Sequence, residues 1–459
     1  MTTTTDKPDE SVTGRVADYI VGFDLAQVPA DAIENARTAL LDSVGIMVAG
    51  STDHAFHIVR DMVREEAAAP RCSVVGETAR SSPQLAAFAN GVALHAMDYD
   101  MTYFIGQPMS PMIPAILALA ETRGATQADV LAAYIVGFEV CSRLVRANIT
   151  QGSSGGWHSV PTVGTIATAA ALGKLLGSSR GQIQNAMAMT VSMASGVGAN
   201  YGTMTKPLHC GHAARNGVVA TLLARNGFTA NPKAIEAKSG YFDVIARGLE
   251  WNLAPFDDLG LTHDLVDRGI WIKRYACGGL LHPGIDAALA MREQLGPRVA
   301  DIVKLHVGVT KYTAKRAWLS YPDTVEAAKF NMSFLVAYAL VHGLPGLAAF
   351  TEAAVADKRA KTFAALVTVG VDPEVADVVE DPPARITATL DDGSVHETFQ
   401  RAALGSYKLP LSRAEIEAKF LECAMLAIDE AKARELLDLL STLGAKPSLE
   451  RLWPLLRND

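Results

Sequence analysis

Ala30-Asp-Ala-Ile-Glu-Asn-Ala-Arg-Thr-Ala-Leu-Leu-Asp-Ser-Val-Gly-Ile-Met-Val48 is the stretch on which the fold turns. Ile33, Ala36, Leu40, Leu41 and Val44 recur at spacings of three and four, which places them on one face of a helix and demands a core for that face. The same period returns at Ser82–Met97, Pro111–Thr122, Gln127–Ala147, Val160–Leu176, Arg180–Met193 and Cys210–Arg225, with short Gly- or Pro-bearing connectors between them. Ala and Gly are dense in Ala167–Gly173 and Ser195–Gly202, which suits closely packed helices ahead of backbone contact with a ligand.

After about Gly269 the pattern changes. Val303, Leu305, Val307 and Val309 alternate through Val303–Thr310, as a half-buried strand does. Ala384–Leu390 and Val395–Arg401 flank the turn Asp391-Asp-Gly-Ser394 and read as a hairpin. Helices, notably Phe330–His342, lie between these strands, so a smaller α/β domain is expected over 270–402. Ser412–Leu443 returns to helical periodicity, and residues 403–459 are expected to rejoin the helical domain of residues 1–269. The fold class is mainly α, without internal repeats or low-complexity segments.

With 459 residues, 49% of them hydrophobic, the chain can bury a large core without staples. A net charge of −8 and the absence of a Lys/Arg block exclude the electrostatic footprint of a nucleic-acid binder. Local charge can still create an anion pocket. The polar N-terminus, Met1 to Glu10, has no signal-peptide pattern and reads as a disordered lead-in to a cytoplasmic protein. The uncharged runs Ala147–Gly173 and Gly181–Thr205 are too rich in polar residues to span a membrane. Cys72, Cys141, Cys210, Cys277 and Cys423 are scattered and odd in number, so reduced thiols are expected, not an iron–sulfur or zinc set. No phosphate loop, HExxH or EF-hand pattern occurs, and no cofactor or metal is expected; scattered ligands for a metal or nucleotide are the alternative.

Five fragments in order carry a resemblance. They are His95-Ala-Met-Asp98-Tyr-Asp100-Met-Thr102 with Gly106-Gln107-Pro108; Gly156-Trp157-His158; Met204-Thr-Lys206-Pro-Leu-His209; Lys273-Arg-Tyr-Ala-Cys277-Gly-Gly-Leu-Leu-His282; and Ala328-Lys-Phe330. Together they resemble the MmgE/PrpD family, which includes 2-methylcitrate dehydratase, cis-aconitate decarboxylase and iminodisuccinate epimerase. The resemblance implies a discontinuous helical domain carrying an inserted α/β lid, a homodimer, and a metal-free site in the cleft between the domains.

It also implies the site residues Asp98, Thr102, His158, Lys206 and Lys273; Asp98, His158, Lys206 and Lys273 are expected as catalytic groups, and Thr102, with Gln107, His209, Cys277 and His282, as substrate contacts. Protons next to carboxylates are weak acids, so their removal needs a placed base and fixed positive charge where electrons gather. Lys206 and Lys273 suit carboxylates, and burial of either would ease proton transfer. His158 is the natural acid or base near neutral pH, and Asp98 could orient it or serve as a base. Thr102 would donate a hydrogen bond. Each has a plainer reading: His158 as a helix-start residue, Asp98 and Asp100 as caps, Lys273 beside Arg274 as a solvated basic pair, His209 and His282 as structural imidazoles, Cys277 as packing.

Three positions depart from the family pattern. Gln107 and Gly278 stand where relatives of this type carry histidines, and Phe334 where a lid-helix tyrosine is expected. Gln exchanges no proton near neutral pH and Phe has no hydroxyl. The leading expectation is a lyase, a dehydratase or decarboxylase, acting on a small di- or tricarboxylate. A two-base epimerase, with Lys206 or His158 on one face of the carbon and Lys273 or Cys277 on the other, and a non-catalytic binding homologue are the alternatives.

Overall fold

The computed structural model describes residues 11–104, 106–147, 156–246, 251–317, 320–378 and 381–458. The expected disordered lead-in, and the Gly155 that precedes Gly156-Trp157-His158, lie outside these residues. Numbering only helices of eleven residues or more, the first unit holds α1 (Val12–Gly22), α2 (Ala30–Gly50), α3 (His54–Glu65), α4 (Pro83–Ala96), α5 (Met112–Arg123), α6 (Gln127–Ala147), α7 (Ser159–Leu175), α8 (Arg180–Val191) and α9 (Thr205–Arg225). The second holds α10 (His282–Leu295) and α11 (Met332–His342), and the C-terminal stretch holds α12 (Arg413–Ala424) and α13 (Glu430–Ser441). Among the described residues, no helix is long and apolar enough to cross a membrane.

The fold is mostly helical, as the periodicity predicts, but α2 is buried differently. Every residue from Ala39 to Gly50 is buried, not only the face of Ile33, Ala36 and Val44. The second face is covered by α12, whose Phe420 lies so close that a Cβ on Gly45 would meet its ring at 2.7 Å. Lys419, one residue earlier, pairs with the buried Asp42 at 2.7 Å. One apolar core therefore contains residues from Val12 through Ala276 together with Ile416 through Leu456.

A second core joins Tyr275 through Leu390. Its sheet has the order β2-β1-β3-β4, with β1 Ile302–Val309, β2 Val367–Val371, β3 Ala384–Leu390 and β4 Val395–Gln400. β1 runs parallel to β2 and antiparallel to β3, so Val307 stands between Val369 and Ile386. The hairpin forms with Gly393 at φ +80°, where a residue lacking Cβ costs least. Ala384, Ile386, Ala388 and Leu390 of β3 are buried while the alternate positions are half-exposed, which marks a sheet covered on one face, by α10 and α11. β2 was not visible in the sequence: Val-Thr-Val-Gly-Val is a short edge run containing a glycine, the composition that weakens a strand signal.

α9 begins at Thr205, five residues before the sequence pattern starts. Pro207 reads as a break, yet within the first turn of a helix it removes no hydrogen bond. The earlier start puts Lys206 in that first turn. Farther along, α9 crosses α4 at two glycines: a Cβ on Gly91 would lie 2.7 Å from Gly211 Cα, and one on Gly211 would lie 2.4 Å from Phe88 O. His95 is one turn beyond Gly91, and Lys206 is just over one turn before Gly211. The contact thus brings two antiparallel helices together where those side chains meet.

Gly211→Ala is expected to destabilise the protein by about 1–3 kcal/mol through backbone overpacking and to separate His95 from Lys206. Urea unfolding and a structure of the variant test this; unchanged stability with an unmoved α9 contradicts it.

Candidate active site

α4 ends at Ala96, and two residues later Asp98 adopts φ +51°, a conformation that Asp tolerates but that costs free energy unless its surroundings fix it. Here they do. The Lys273 ammonium donates to Asp98 Oδ1 at 2.6 Å and to the Asp98 carbonyl at 2.8 Å. Lys206 lies 3.2 Å from the same Oδ1, and the Gln107 amide donates to it at 2.7 Å. All of these groups are buried. Burial alone would raise the Asp98 carboxyl; Lys206 and Lys273 outweigh it and hold the group well below the usual carboxylate range.

Lys206 itself stands in the first turn of α9, where the helix dipole opposes a cation, so carboxylate and imidazole partners must hold it there. One N–H points to Asp98 and another meets His95 Nε2 at 2.9 Å. His95 Nδ1 lies 2.9 Å from Asp100 Oδ2, an oxygen that also accepts from Ser110 Oγ. Asp100 therefore fixes the His95 proton on Nδ1 and turns its Nε2 lone pair to the ammonium. Burial lowers the Lys206 ammonium pKa against the opposing pull of Asp98. An ammonium has three donors; two are committed, and the third is left for a ligand.

His158 sits at the cap position before α7, held by its N–H to Gly196 O at 3.0 Å, and its side chain makes no capping bond. The helix-start reading is correct for the backbone but not for the imidazole. That ring packs edge-on against Tyr201, with centroids 5.0 Å apart, and its Nδ1 lies 2.9 Å from His209 Nδ1. Burial first, then Lys206, push His158 far below the ordinary histidine range, so it is neutral. Phe330 carries Lys206 over its ring at 5.7 Å.

These groups surround a cavity of about 240 Å³ whose wall includes Asp98, Thr102, Gln107, His158, Lys206 and, from the α/β unit, Arg316. Asp98 Oδ2, Thr102 Oγ1 and Trp157 Nε1, on residues that line it, are buried without a hydrogen-bond partner among the described residues. Among the described residues no group of three or more His, Cys, Asp and Glu could hold a metal ion.

Five of the nine expected site residues, Asp98, Thr102, Gln107, His158 and Lys206, line this cavity. Lys273 does not: it is fully buried behind Asp98 and acts on the site through that carboxylate. His209 stands behind His158. Cys277 is buried off the wall, its thiol pushed above its usual range by burial. His282 is fully buried against Trp271 and Tyr275. Phe334 faces the core of the α/β unit, against Tyr321 and Tyr338, so its lack of a hydroxyl leaves the cavity wall unchanged. No role for His95, Tyr201, Tyr312, Lys315 or Arg316 was legible in the sequence. The last three share the run Lys311-Tyr-Thr-Ala-Lys-Arg316 directly after β1, a basic cluster at a strand end that reads as solvated charge.

The MmgE/PrpD N-terminal domain model matches residues 14–254 and the MmgE/PrpD C-terminal domain model matches residues 275–443. A cis-aconitate decarboxylase from Homo sapiens is 28% identical over 425 residues, 90% of this chain and 87% of that one. One from Aspergillus terreus is 28% identical over 97% of this chain and 96% of its own. An Aspergillus oryzae protein named as cis-aconitate decarboxylase-like is 27% identical with both chains fully covered.

Asp98→Asn leaves two buried ammonium groups without their shared carboxylate and is expected to cost about 3–5 kcal/mol in urea unfolding. Lysine-selective NMR titration should place Lys206 deprotonation below the free-lysine value of about 10.4, and lower still in Asp98→Asn. A midpoint equal to free lysine in both proteins contradicts the network.

Proposed function

The chain belongs to the MmgE/PrpD family, and on that premise we propose that it is a lyase removing CO₂ or water from a small di- or tricarboxylate, without a cofactor, by proton movement at the carbon beside a carboxylate. The observation carrying this reading is that the Lys206–Asp98–Lys273 cluster opens onto the same cavity as a neutral imidazole, His158.

Loss of CO₂, or of an α-proton, leaves an electron pair that spreads into an adjoining carboxylate. The remaining N–H of Lys206, at the cavity wall, would meet that growing charge. His158 supplies or takes the proton: its Nδ1 is engaged by His209, which leaves Nε2 for the substrate. Asp98, drawn down by two ammonium groups, is a poor base; its part is to fix the positions of both cations. Arg316 and Lys315 add positive charge on the facing wall, suited to a second carboxylate.

Gln107 donates to Asp98 as a ring N–H could, so the substitution keeps the geometry of the cluster and removes only a proton-exchanging group. A two-base epimerase has less support. Lys273 and Cys277, its candidates for the opposite face, both stand off the cavity.

Incubation in deuterated water with cis-aconitate, citrate-like and succinate-like acids, followed by NMR, tests the reading. The expected result is a shifted alkene with deuterium at the reacting carbon if CO₂ is lost, or a new alkene with loss of the α-proton if water is lost; exchange with inversion and no alkene identifies an epimerase, and silence across the panel a binding protein. Lys206→Ala should reduce kcat/KM by on the order of 10³-fold, the usual cost of losing an anion-stabilising donor, while far-UV circular dichroism stays unchanged.

Gly278 has ordinary backbone angles, and a Cβ there would meet its neighbours at 3.4 Å or more. Gly278→His should therefore fold with a melting temperature close to the parent and place an imidazole at the cavity. Paired with Gln107→His, it is expected to raise decarboxylation relative to proton exchange; a double variant no faster than the parent counts against a role for those positions.

A further inference from the structure

His209 lies on the second turn of α9, behind the cavity wall, and the chemistry above uses it only to engage His158 Nδ1. Its Nδ1 is 2.9 Å from Nδ1 of His158. Two N–H groups cannot point at each other, so one ring carries the shared proton and the other accepts it. Both rings are neutral, since burial, then His95 and Lys206, bring His209 down to about 4, and burial, then Lys206, hold His158 well below the ordinary histidine range. Their tautomers are therefore tied together. When His209 holds its proton on Nδ1, His158 carries an N–H at Nε2, the acid form. When His158 holds the shared proton, its Nε2 is a bare base and His209 carries its proton on Nε2.

The pair also has a direction. His158 keeps 2% exposure and lines the cavity, while His209 keeps 9% and is followed on the same helix flank by the exposed His212. The charged and titratable groups facing the pair are His95, Asp98, Lys206, His212 and Tyr201.

We infer that His158 and His209 form a two-ring proton relay, in which His209 passes a proton to His158 Nδ1 as His158 gives up its reacting proton from Nε2, and draws its own replacement from solvent, so that neither ring is left charged; this rests on the lyase reading. As the C–C bond to the departing CO₂ breaks, its electron pair stays on the substrate carbon. The N–H bond at His158 Nε2 breaks and its proton forms the new C–H bond. The proton on His209 Nδ1 passes to His158 Nδ1, and a solvent proton arrives at His209 Nε2. One proton enters per CO₂ lost, and neither ring ends charged. After product leaves, water returns a proton to His158 Nε2 and the shifts run back. Abstraction of an α-proton uses the same path in reverse.

The test is His209→Asn, which keeps a hydrogen-bonding group near Nδ1 but cannot pass a proton through. A fall in kcat of about 10- to 100-fold, with KM unchanged and saturable recovery on adding free imidazole, is the expected result; wild-type turnover should not respond to imidazole. Nitrogen-15 NMR of histidine-labelled wild type, needing neither substrate nor a variant, should show at pH 6.5 two neutral, opposite tautomers coupled across their Nδ1 atoms. Wild-type kcat and pH profile in His209→Asn, a loss that imidazole does not relieve, or two imidazolium signals overturns the relay and leaves the lyase reading in place. Absence of turnover by wild type on every acid of the panel overturns the lyase reading, and the relay with it.

Discussion

Everything in this site depends on one carboxylate that binds two ammonium groups. Asp98 Oδ1 accepts from Lys273, Gln107 and Lys206 in a place nearly closed to water. Two buried cations repel each other and each carries a large desolvation cost, so neither would stay without the carboxylate between them. The carboxylate in turn holds a left-handed backbone conformation that those contacts secure. Removing any member exposes the others to an unfavourable arrangement, and the whole cluster is better described as one unit than as separate residues.

That unit is assembled from distant parts of the chain by ordinary packing. α4 delivers His95 and, just past its end, Asp98; α9 delivers Lys206; and the segment entering the α/β unit delivers Lys273. The glycine crossing between α4 and α9 sets the separation at which His95 can reach Lys206. A pair of missing side chains one turn away thus determines whether a hydrogen bond in the site exists.

The fold was largely legible in the sequence because long helices repeat their apolar period many times. β2 was not, because five residues with a central glycine repeat too little. At the site, Asp98 and His158 could be singled out through the fragments that resemble the family pattern, since alone they read as readily as a cap and a helix-start residue; Lys206 stood out also as a lone cation at the end of a long uncharged run. The difference between lining a cavity and standing behind its wall was not legible. Lys273, His209, Cys277 and His282 have the same chemistry in either place, and only the path of the backbone separates a group that meets a ligand from one that braces its neighbour. His95 escaped notice for a related reason: its role depends on the distance between two helices, which no local pattern encodes. Phe334 shows the reverse case, a substitution that looks decisive in one dimension and points into a core in three.

The cavity wall is drawn from both apolar cores: Lys206 and His158 belong to the larger body, and Tyr312, Lys315 and Arg316 to the smaller. A guest carrying negative charge at each end would act as a strut across this seam, touching one body with each end. Its length then matters as much as its charge, since a strut too short to reach leaves the two halves uncoupled, whereas one that fits makes them melt together.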